Sequence, residues 1–425
     1  MEILFKNAVI YGHGGSGCLA VSGDRIVSIS PEAPDKRFDR TIDCGGKMLF
    51  PGLYNTHCHA AMTLFRGYGE ELPLDRWLNE RIFPAEDRLT PEAVYRASML
   101  ACAEMIKNGV VSFSDMYFFC EETVKAALEC GIKANISRCV VSFDPDADPA
   151  QDSRAAEAVS LFNEYNGAGG GRIMIDMSLH AEYTNTERMC RWLGEKAVEL
   201  GCGMQIHLSE TEKEHMEGTA RRGKTPAAFF RDCGVFDAPT TAAHCVYLTD
   251  GDMAIMAEKN VTCAHNPVSN LKLGSGVAPV PKIIDAGVNV SLGTDGTASN
   301  NTLDIMKEMY LAAILHKGVM RKADIMPADE VIRMASLNGA KAQGRNDCGS
   351  LDVGMKADII MIDTGSVNNI PSYSPAYTAV YSAGSSDVAL SMIDGTIVYE
   401  NGEYKTIDIE KVKYEMRYAV SHYFD

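Results

Sequence analysis

The 425-residue sequence has few basic residues for its number of acidic ones. Its 40 lysines and arginines stand against 57 aspartates and glutamates, which gives a formal net charge of −17. A protein that binds nucleic acid needs a basic face to hold phosphates, so this composition argues against a general nucleic-acid binder. It does not oppose a small nucleotide-like ligand. We therefore expect a small-molecule partner and no nucleic acid.

Long apolar runs are also missing, since none approaches the roughly 18 residues that a membrane-spanning helix needs. Glu2 and Lys6 stand where a signal peptide would have its apolar core. We therefore expect no membrane association and a cytoplasmic location. The content of 46% hydrophobic and 23% charged residues is typical of a folded protein.

The 13 cysteines are odd in number and include no Cys-x-x-Cys pair. This pattern argues against a disulfide framework and against a structural zinc ribbon. Most of the cysteines lie in apolar runs, as Cys139 does. We expect them to be buried free thiols in a reducing compartment.

The two ends of the chain share a pattern of short apolar strands separated by turns. It covers residues 1–48 and returns at residues 357–400. Residues 407–424 have the pattern of an amphipathic helix. These features predict one small β-sandwich domain built from both termini, residues 1–50 plus 348–425, with a helix at its C-terminal end.

The middle of the chain, residues 51–347, alternates short apolar runs with helical stretches such as residues 91–107. Alternating β and α units indicate a parallel sheet with helices outside it, and eight units predict an α/β fold of the (β/α)₈ TIM-barrel type. The alternative is an open doubly wound sheet, but no Gly-x-Gly-x-x-Gly follows the first strand. The eight apolar runs are residues 48–50, 110–113, 134–137, 173–178, 203–206, 241–243, 261–264 and 288–292.

Histidines and an aspartate follow four of these predicted strands. His57 and His59 are two residues apart, so in an extended strand both side chains point the same way. His207, His244 and Asp295 each end a later strand. The carboxyl ends of barrel strands meet at one mouth, where barrel enzymes place their chemistry. A lone His-x-His is more often structural, but this joint set predicts a site for zinc or ferrous iron.

The remaining histidines are assigned other roles. His265 also ends a strand, and Pro267 and Asn270 after it suggest that it shapes a loop behind the site. His13, His215, His316 and His422 lie in turns or polar helices, so we expect them to be solvated.

Residues 51–59, Pro-Gly-Leu-Tyr-Asn-Thr-His-Cys-His, resemble the strand-one signature of the amidohydrolase superfamily. The order of His207, His244 and Asp295 and the segment 349–358 are also similar to that family. Segments 72–78 and 82–86 resemble its branch of 5'-methylthioadenosine and S-adenosylhomocysteine deaminases. Binuclear members carry a lysine on strand four, whereas this strand ends at His180, so the resemblance implies a single metal.

The resemblance implies one divalent metal, zinc or alternatively ferrous iron, with His57, His59, His207 and Asp295 as its ligands. Such a metal makes water nucleophilic at neutral pH. Asp295 would also accept the proton of that water. His244 would hydrogen-bond the water and stabilise the developing oxyanion.

The resemblance also implies the reaction and the substrate contacts. Glu210 would protonate N1 of adenine while hydroxide attacks C6, so that ammonia leaves and an inosine analogue forms. The implied substrate is S-adenosylhomocysteine, 5'-methylthioadenosine, 5'-deoxyadenosine or adenosine. The implied substrate-binding residues are Glu86 at the ribose, His180 at the purine, Arg138 at the far end, Trp77 over the sugar, and Glu210.

Two other functions stay open at this point. One is another aromatic-ring hydrolase on the same site, such as a guanine deaminase or a triazine hydrolase. The other is a non-catalytic barrel kept for assembly, although a complete set of metal ligands argues against it. A homo-oligomer is also possible. The stretch 144–148, where the family has a second arginine, is acidic here.

Overall fold

The computed structural model describes residues 1–423. Its strands are β1 Glu2–Ile10, β2 Ser16–Ser22, β3 Arg25–Ser30, β4 Arg40–Asp43, β5 Met48–Pro51, β6 Leu53–Cys58, β7 Val110–Tyr117, β8 Lys133–Val140, β9 Ile173–Leu179, β10 Met204–Leu208, β11 Thr240–His244, β12 Thr262–His265, β13 Asn289–Leu292, β14 Ile359–Ile362, β15 Val388–Ile393, β16 Thr396–Glu400 and β17 Glu403–Tyr404.

The helices lie mainly between these strands. They are α1 Leu74–Trp77, α2 Phe83–Glu86, α3 Pro91–Lys107, α4 Cys120–Cys130, α5 Ser153–Tyr165, α6 Ala168–Gly171, α7 Glu187–Leu200, α8 Glu212–Arg222, α9 Pro226–Asp232, α10 Asp250–Glu258, α11 Pro267–Lys272, α12 Val280–Asp285, α13 Thr297–Asn300, α14 Ile305–Met320, α15 Ala328–Ala335, α16 Leu337–Ala342, α17 Pro375–Tyr377 and α18 Ile409–Tyr423.

The strands β6 to β13 pair in parallel, each with the next along the chain, and form a nearly closed barrel. The first and last strands meet through the Thr56 hydroxyl, which donates to the Leu292 carbonyl at 2.8 Å. Every residue of β7 is buried, as expected of a parallel strand covered on both faces. The predicted (β/α)₈ barrel is confirmed.

A second, mixed sheet joins the two ends of the chain in the order β17-β16-β15-β14-β5-β1-β2-β3, with β4 paired to β1. Side chains from both ends, including Phe5, Leu19, Ile359 and Leu390, bury one another in a single core. The predicted β domain from both termini is confirmed, and its strands form one continuous sheet. The exact division at residues 50 and 348 stays a prediction.

The run 48–50 was expected to begin the barrel, and this assignment is wrong. It forms β5 of the terminal sheet, paired with β1 and β14. The chain changes sheets at Gly52, whose N–H donates to the Asp358 carbonyl at 2.9 Å. A Cβ at Gly52 would lie 2.4 Å from Val111 Cγ1, so only glycine fits this crossing. The continuous apolar sequence around Gly52 hides the break.

Helix α18 confirms the predicted C-terminal helix over Ile409–Tyr423 and packs against α3. Phe424, the last residue of the predicted helix, lies outside the described residues. All 13 cysteines are buried free thiols, as expected. Within residues 1–423, no helix combines the length and the apolar character that crossing a membrane requires.

Candidate active site and metal centre

The carboxyl ends of four barrel strands bring the four predicted metal ligands and the predicted polarising residue His244 together. His57 lies on β6 with His59 just after it, His207 lies on β10, His244 ends β11, and Asp295 follows β13. The ligand atoms of His57, His59 and His207 lie within 4.8 Å of one another, and so do those of His57, His244 and Asp295. All five side chains are buried. The convergence expected from the sequence is present.

Backbone carbonyls fix the orientation of two of these imidazoles. His59 Nδ1 lies 2.6 Å from the Met116 carbonyl, and His207 Nδ1 lies 2.8 Å from the His180 carbonyl. Because a carbonyl only accepts, each Nδ1 carries the proton and each Nε2 keeps its lone pair. His57 Nε2 has no hydrogen-bond partner in residues 1–423. Three ring nitrogens are therefore available to a cation.

Asp295 is held on a left-handed backbone, with φ of 60°, at the point where β13 has ended. Its Oδ1 faces His59 Nε2 at 3.3 Å and His57 Nε2 at 3.6 Å. Its Oδ2 accepts hydrogen bonds from Ser269 Oγ at 2.5 Å and from Ser299 Oγ at 2.9 Å. The two serines leave Oδ1 turned toward the imidazoles.

The electrostatics of this group follow from burial and from the Asp295 charge. Burial alone would raise the pKa of Asp295, but the imidazoles of His57 and His59 outweigh it and hold that pKa well below its usual range. Burial lowers the pKa of His57 to about 4 and that of His207 well below its usual value. Burial also acts to lower the pKa of His59, but the Asp295 carboxylate has the larger effect and raises the pKa of His59 to about 9.

These residues fit a divalent metal ion. Neutral imidazoles and an ionised carboxylate are ligands that zinc accepts. Here they form two buried groups that share His57, one with His59 and His207 and the other with His244 and Asp295. His57 Nε2 is a buried acceptor with no partner among the described residues, and such an atom calls for a ligand.

Glu210 and His244 lie beside this centre. His244 Nε2 is 3.8 Å from Glu210 Oε2, and its Nδ1 is 2.8 Å from Asn270 Oδ1. Ser275 Oγ donates to Glu210 Oε1 at 2.9 Å. Burial raises the pKa of Glu210. A buried carboxyl with a raised pKa suits a group that must give up a proton near neutral pH.

Two predicted substrate residues also lie near the metal ligands. The Tyr117 hydroxyl donates to Glu86 Oε1 at 2.7 Å, and the Tyr117 ring lies 5.9 Å from that of His59. Burial raises the pKa of Glu86 to about 7. The His180 ring lies 4.9 Å from the His207 ring, and burial lowers its pKa to about 4.

Arg138 and Trp77 both make contacts within the protein at the positions that would face a substrate. Arg138 Nε donates to Glu157 Oε2 at 2.7 Å, and Arg138 Nη1 donates to the Cys139 carbonyl at 2.5 Å. Trp77 is 5% exposed and packs in an apolar cluster with Phe65. The structure therefore surrounds Trp77 with protein, and its contact with a sugar stays a prediction.

The other histidines divide into two groups. His265 is fully buried, lies outside the groups of candidate ligands and has its ring 5.8 Å from that of His316. His316 was expected to be solvated, and this is wrong: it is only 2% exposed, on the inner face of α14. His13 and His422 are exposed, and His215 is half-buried.

Sequence reasoning did not identify the side chains that support the site. Ser269 and Ser299 orient Asp295, and Ser275 holds Glu210. Ser269 lies in the short helix α11, Ser299 in the short helix α13 and Ser275 in a loop, and none of them carries a sequence pattern of its own. Glu214 accepts the backbone N–H groups of Ser209 and Glu210, at 2.9 and 2.8 Å. Its position four residues after Glu210 was a signal that could have been followed.

Comparison with known proteins agrees with this geometry. The model of the amidohydrolase family matches residues 48–398. A 5-methylthioadenosine/S-adenosylhomocysteine deaminase from Acetivibrio thermocellus is 44% identical over 427 residues, covering 98% of each chain. A 5'-deoxyadenosine deaminase from Methanosarcina mazei is 41% identical, covering 98% of this chain and 97% of the relative. The chain belongs to the amidohydrolase family.

A solved structure extends the likeness to three dimensions. An adenosine deaminase from Xanthomonas campestris with bound zinc superposes with a TM-score of 0.92 and is 30% identical. The match covers 99% of this chain and 98% of the other. The barrel and the terminal sheet thus belong to one shared architecture.

Proposed function

We propose that this protein is a metal-dependent hydrolase that deaminates adenosine derivatives at C6 of the purine. The observation that carries the proposal is a pair of buried groups of candidate ligands that share His57, one with His59 and His207 and the other with His244 and Asp295, with Glu210 beside them. The relatives named as deaminases of 5'-methylthioadenosine, S-adenosylhomocysteine and 5'-deoxyadenosine support the choice of substrate class.

One divalent cation, which we propose to be zinc, would be held by His57, His59, His207 and Asp295. When bound, it supplies Lewis acidity that makes water nucleophilic near neutral pH. The zinc bound to the related adenosine deaminase supports this choice of metal.

Three side chains of this protein would then handle protons and charge. Asp295 would accept the proton of the attacking water on its carboxylate, whose Oδ1 faces the imidazoles and also accepts the Gly296 N–H at 2.7 Å, while Oδ2 accepts from Ser269 and Ser299. Glu210 donates a proton to the ring nitrogen beside the carbon that is attacked, and this neutralises charge that attack places on the ring. His244 Nε2 would donate to the developing oxyanion when the imidazole carries a proton on both nitrogens, while its Nδ1–H donates to Asn270 Oδ1 at 2.8 Å and holds the ring in place.

The ribose is assigned to Glu86. Its carboxylate can accept hydrogen bonds from two neighbouring hydroxyls, and Tyr117 fixes it on the side nearest His59. A buried carboxylate loses those partners when a bare base binds, and sites of this kind reject the incomplete substrate strongly. The same argument favours a nucleoside over guanine or a triazine ring, the substrates of the alternative hydrolases.

The test measures ammonia release from 5'-methylthioadenosine, 5'-deoxyadenosine, adenosine, adenine and guanine, with the wild type and Glu210→Gln. We expect the nucleosides to be deaminated, and Glu210→Gln to keep its metal while losing more than about 100-fold in turnover. Glu212→Gln is the matched control, because Glu212 is exposed two residues away. A better rate on guanine than on every nucleoside would contradict the substrate assignment, and no release from any substrate would favour the non-catalytic barrel.

The cellular setting is also proposed. Thirteen buried free thiols suit a reducing compartment, which supports a cytoplasmic location. The proposed partner is the nucleoside substrate itself.

A further inference from the structure

A cleft of about 610 Å³ opens near the active site, within the range typical of small-ligand sites. Its walls come from the loop after β8, the segment after β9, and helices α7 and α8. Tyr183 lines the cleft, and its ring lies 6.0 Å from that of His180. The His180 ring is in turn 4.9 Å from the metal-site residue His207. Two ring-to-ring contacts, Tyr183 with His180 and His180 with His207, therefore connect the cleft to the metal centre.

Four arginines line this cleft in a protein whose net charge is −17: Arg188, Arg191, Arg221 and Arg222. Their ion-pair partners are three carboxylates, those of Asp148, Glu187 and Glu182, and Glu187 also lines the cleft. Arg221 and Arg222 share one carboxylate, that of the fully buried Glu182. Two positive charges on one negative charge leave an excess that attracts an anion.

Arg188 is the most available of the four. Its side chain is 55% exposed, and its ion-pair contact with Asp148 is long, at 3.7 Å. Arg191, by comparison, pairs closely with Glu187 at 2.7 Å. An exposed guanidinium with a loose partner can re-form its hydrogen bonds around a carboxylate or a phosphate.

Arg138, which the sequence predicts at the far end of the substrate, already forms an ion pair and a hydrogen bond within the protein. The Glu157 carboxylate pairs with Arg138 Nε at 2.7 Å, and the Cys139 carbonyl accepts a hydrogen bond from Arg138 Nη1. Binding an anion there would require breaking this ion pair. The excess positive charge lies in the cleft, whose walls also present the exposed rings of Phe143 and Tyr183. Such walls suit an apolar chain that ends in an anionic group.

We propose that the arginine-lined cleft binds an anionic group, a carboxylate or a phosphate, through Arg188 and the Arg221–Arg222 pair. The anion has two sources. It is either the carboxylate at the 5' end of a substrate such as S-adenosylhomocysteine, in which case the proposal rests on the proposed function, or a free anion beside the substrate.

Two variants should act in opposite directions on this site. Arg188→Met removes the available charge at an exposed position. Asp148→Asn removes the competing carboxylate but keeps an oxygen for the Ala150 N–H that Asp148 now accepts. Arg333→Met is the control, since Arg333 is an exposed arginine outside the cleft, paired with Glu330 on α15.

The first measurement compares kcat/KM for S-adenosylhomocysteine with that for 5'-methylthioadenosine, which has no carboxylate. For a substrate carboxylate in the cleft, Arg188→Met lowers kcat/KM for S-adenosylhomocysteine about tenfold through KM, as expected for lost hydrogen bonds to a charged group. Asp148→Asn raises it, and 5'-methylthioadenosine changes less than about twofold in both variants because it lacks the charged group.

The second measurement titrates inorganic phosphate into each protein by calorimetry and needs no turnover. For a free-anion site, Arg188→Met abolishes phosphate binding and Asp148→Asn tightens it, while the ratio of the two kcat/KM values stays unchanged. The proposal is overturned if neither the kcat/KM ratio nor phosphate binding responds to Arg188→Met more than to Arg333→Met. A protein that turns over no nucleoside but binds phosphate through Arg188 would refute the proposed function and keep this site.

Discussion

The barrel buries charged groups at both of its ends, and the two clusters are built differently. At the base, Lys133 lies between Asp358 at 2.5 Å and Asp394 at 2.9 Å, and the Tyr54 hydroxyl donates to Asp358 at 3.0 Å. The base cluster joins β8 of the barrel to the terminal sheet, and its positive charge has negative partners within the chain. It needs nothing from outside.

The mouth cluster, His57, His59, His207 and Asp295, holds three imidazoles around one carboxylate. His57 Nε2 has no hydrogen-bond partner anywhere in the described part of the chain. Asp295 also occupies a left-handed backbone, an arrangement that costs stability and recurs at functional sites. The comparison teaches that burial of charge alone does not mark a site. The mouth is marked by a combination, in which a buried ring nitrogen without a partner stands among several converging ligand atoms.

The largest effect should follow from Asp295→Asn at the mouth. The amide keeps the shape but cannot accept the proton of the attacking water. We expect turnover to fall by about 10³-fold or more, near the upper range for general bases. Turnover and metal content should be measured on the same sample. Wild-type turnover in a fully loaded Asp295→Asn protein would contradict the role of Asp295 as base.

A substitution in the base cluster should lower the free energy of unfolding and leave the rate of the reaction unchanged. Lys133→Met leaves Asp358 buried without its cation, which typically costs about 3–5 kcal/mol. Urea unfolding should show this loss, while the turnover of the folded fraction stays near the wild-type value. If Lys133→Met unfolds like the wild type, the base cluster is not a structural pair and the comparison between the two ends fails.

The pH dependence of substrate binding should report Glu86. Burial raises its pKa to about 7, so the carboxylate is protonated below that pH and ionised above it. Only the ionised form accepts hydrogen bonds from both ribose hydroxyls through free lone pairs. We expect KM for 5'-methylthioadenosine to fall severalfold as pH rises from about 6 to about 8.

Glu86→Gln removes this titration and is the internal control for the pH series. Its KM should be high and flat across the same range. If the variant keeps the wild-type slope, another group controls the pH dependence of binding. The same charge has the opposite consequence for the fold, since a raised carboxyl pKa lowers stability as pH rises through about 7.

A smaller effect is expected from Glu214, which holds the backbone that carries Glu210. In Glu214→Gln one oxygen that accepts an N–H is replaced by a donor, so the turn at Ser209 and Glu210 loses a hydrogen bond. We expect kcat to fall about fivefold with KM little changed, since one hydrogen bond is worth about 1 kcal/mol. An equal rise in KM would show that Glu214 supports ground-state binding instead.

Much of this account was available from the sequence, because strand ends meet at one mouth and His57, His59, His207, His244 and Asp295 each stand at such an end. The break at Gly52 was hidden, because the apolar run continues across it and only the contact with Val111 reveals the crossing. Ser269 and Ser299 could not be found, because their contact with Asp295 exists only after the short helices α11 and α13 pack beside it. The pairing of Arg138 with Glu157 joins residues 19 apart and is likewise tertiary.

Metal content tests the central claim most directly, namely that the mouth cluster is completed by one cation. Protein purified with zinc present and then dialysed should be analysed by plasma mass spectrometry, alongside His207→Ala and Lys133→Met. The account predicts about one equivalent per chain in the wild type and in Lys133→Met, and a loss of metal in His207→Ala. Two equivalents in the wild type, or a full equivalent retained in His207→Ala, would contradict it.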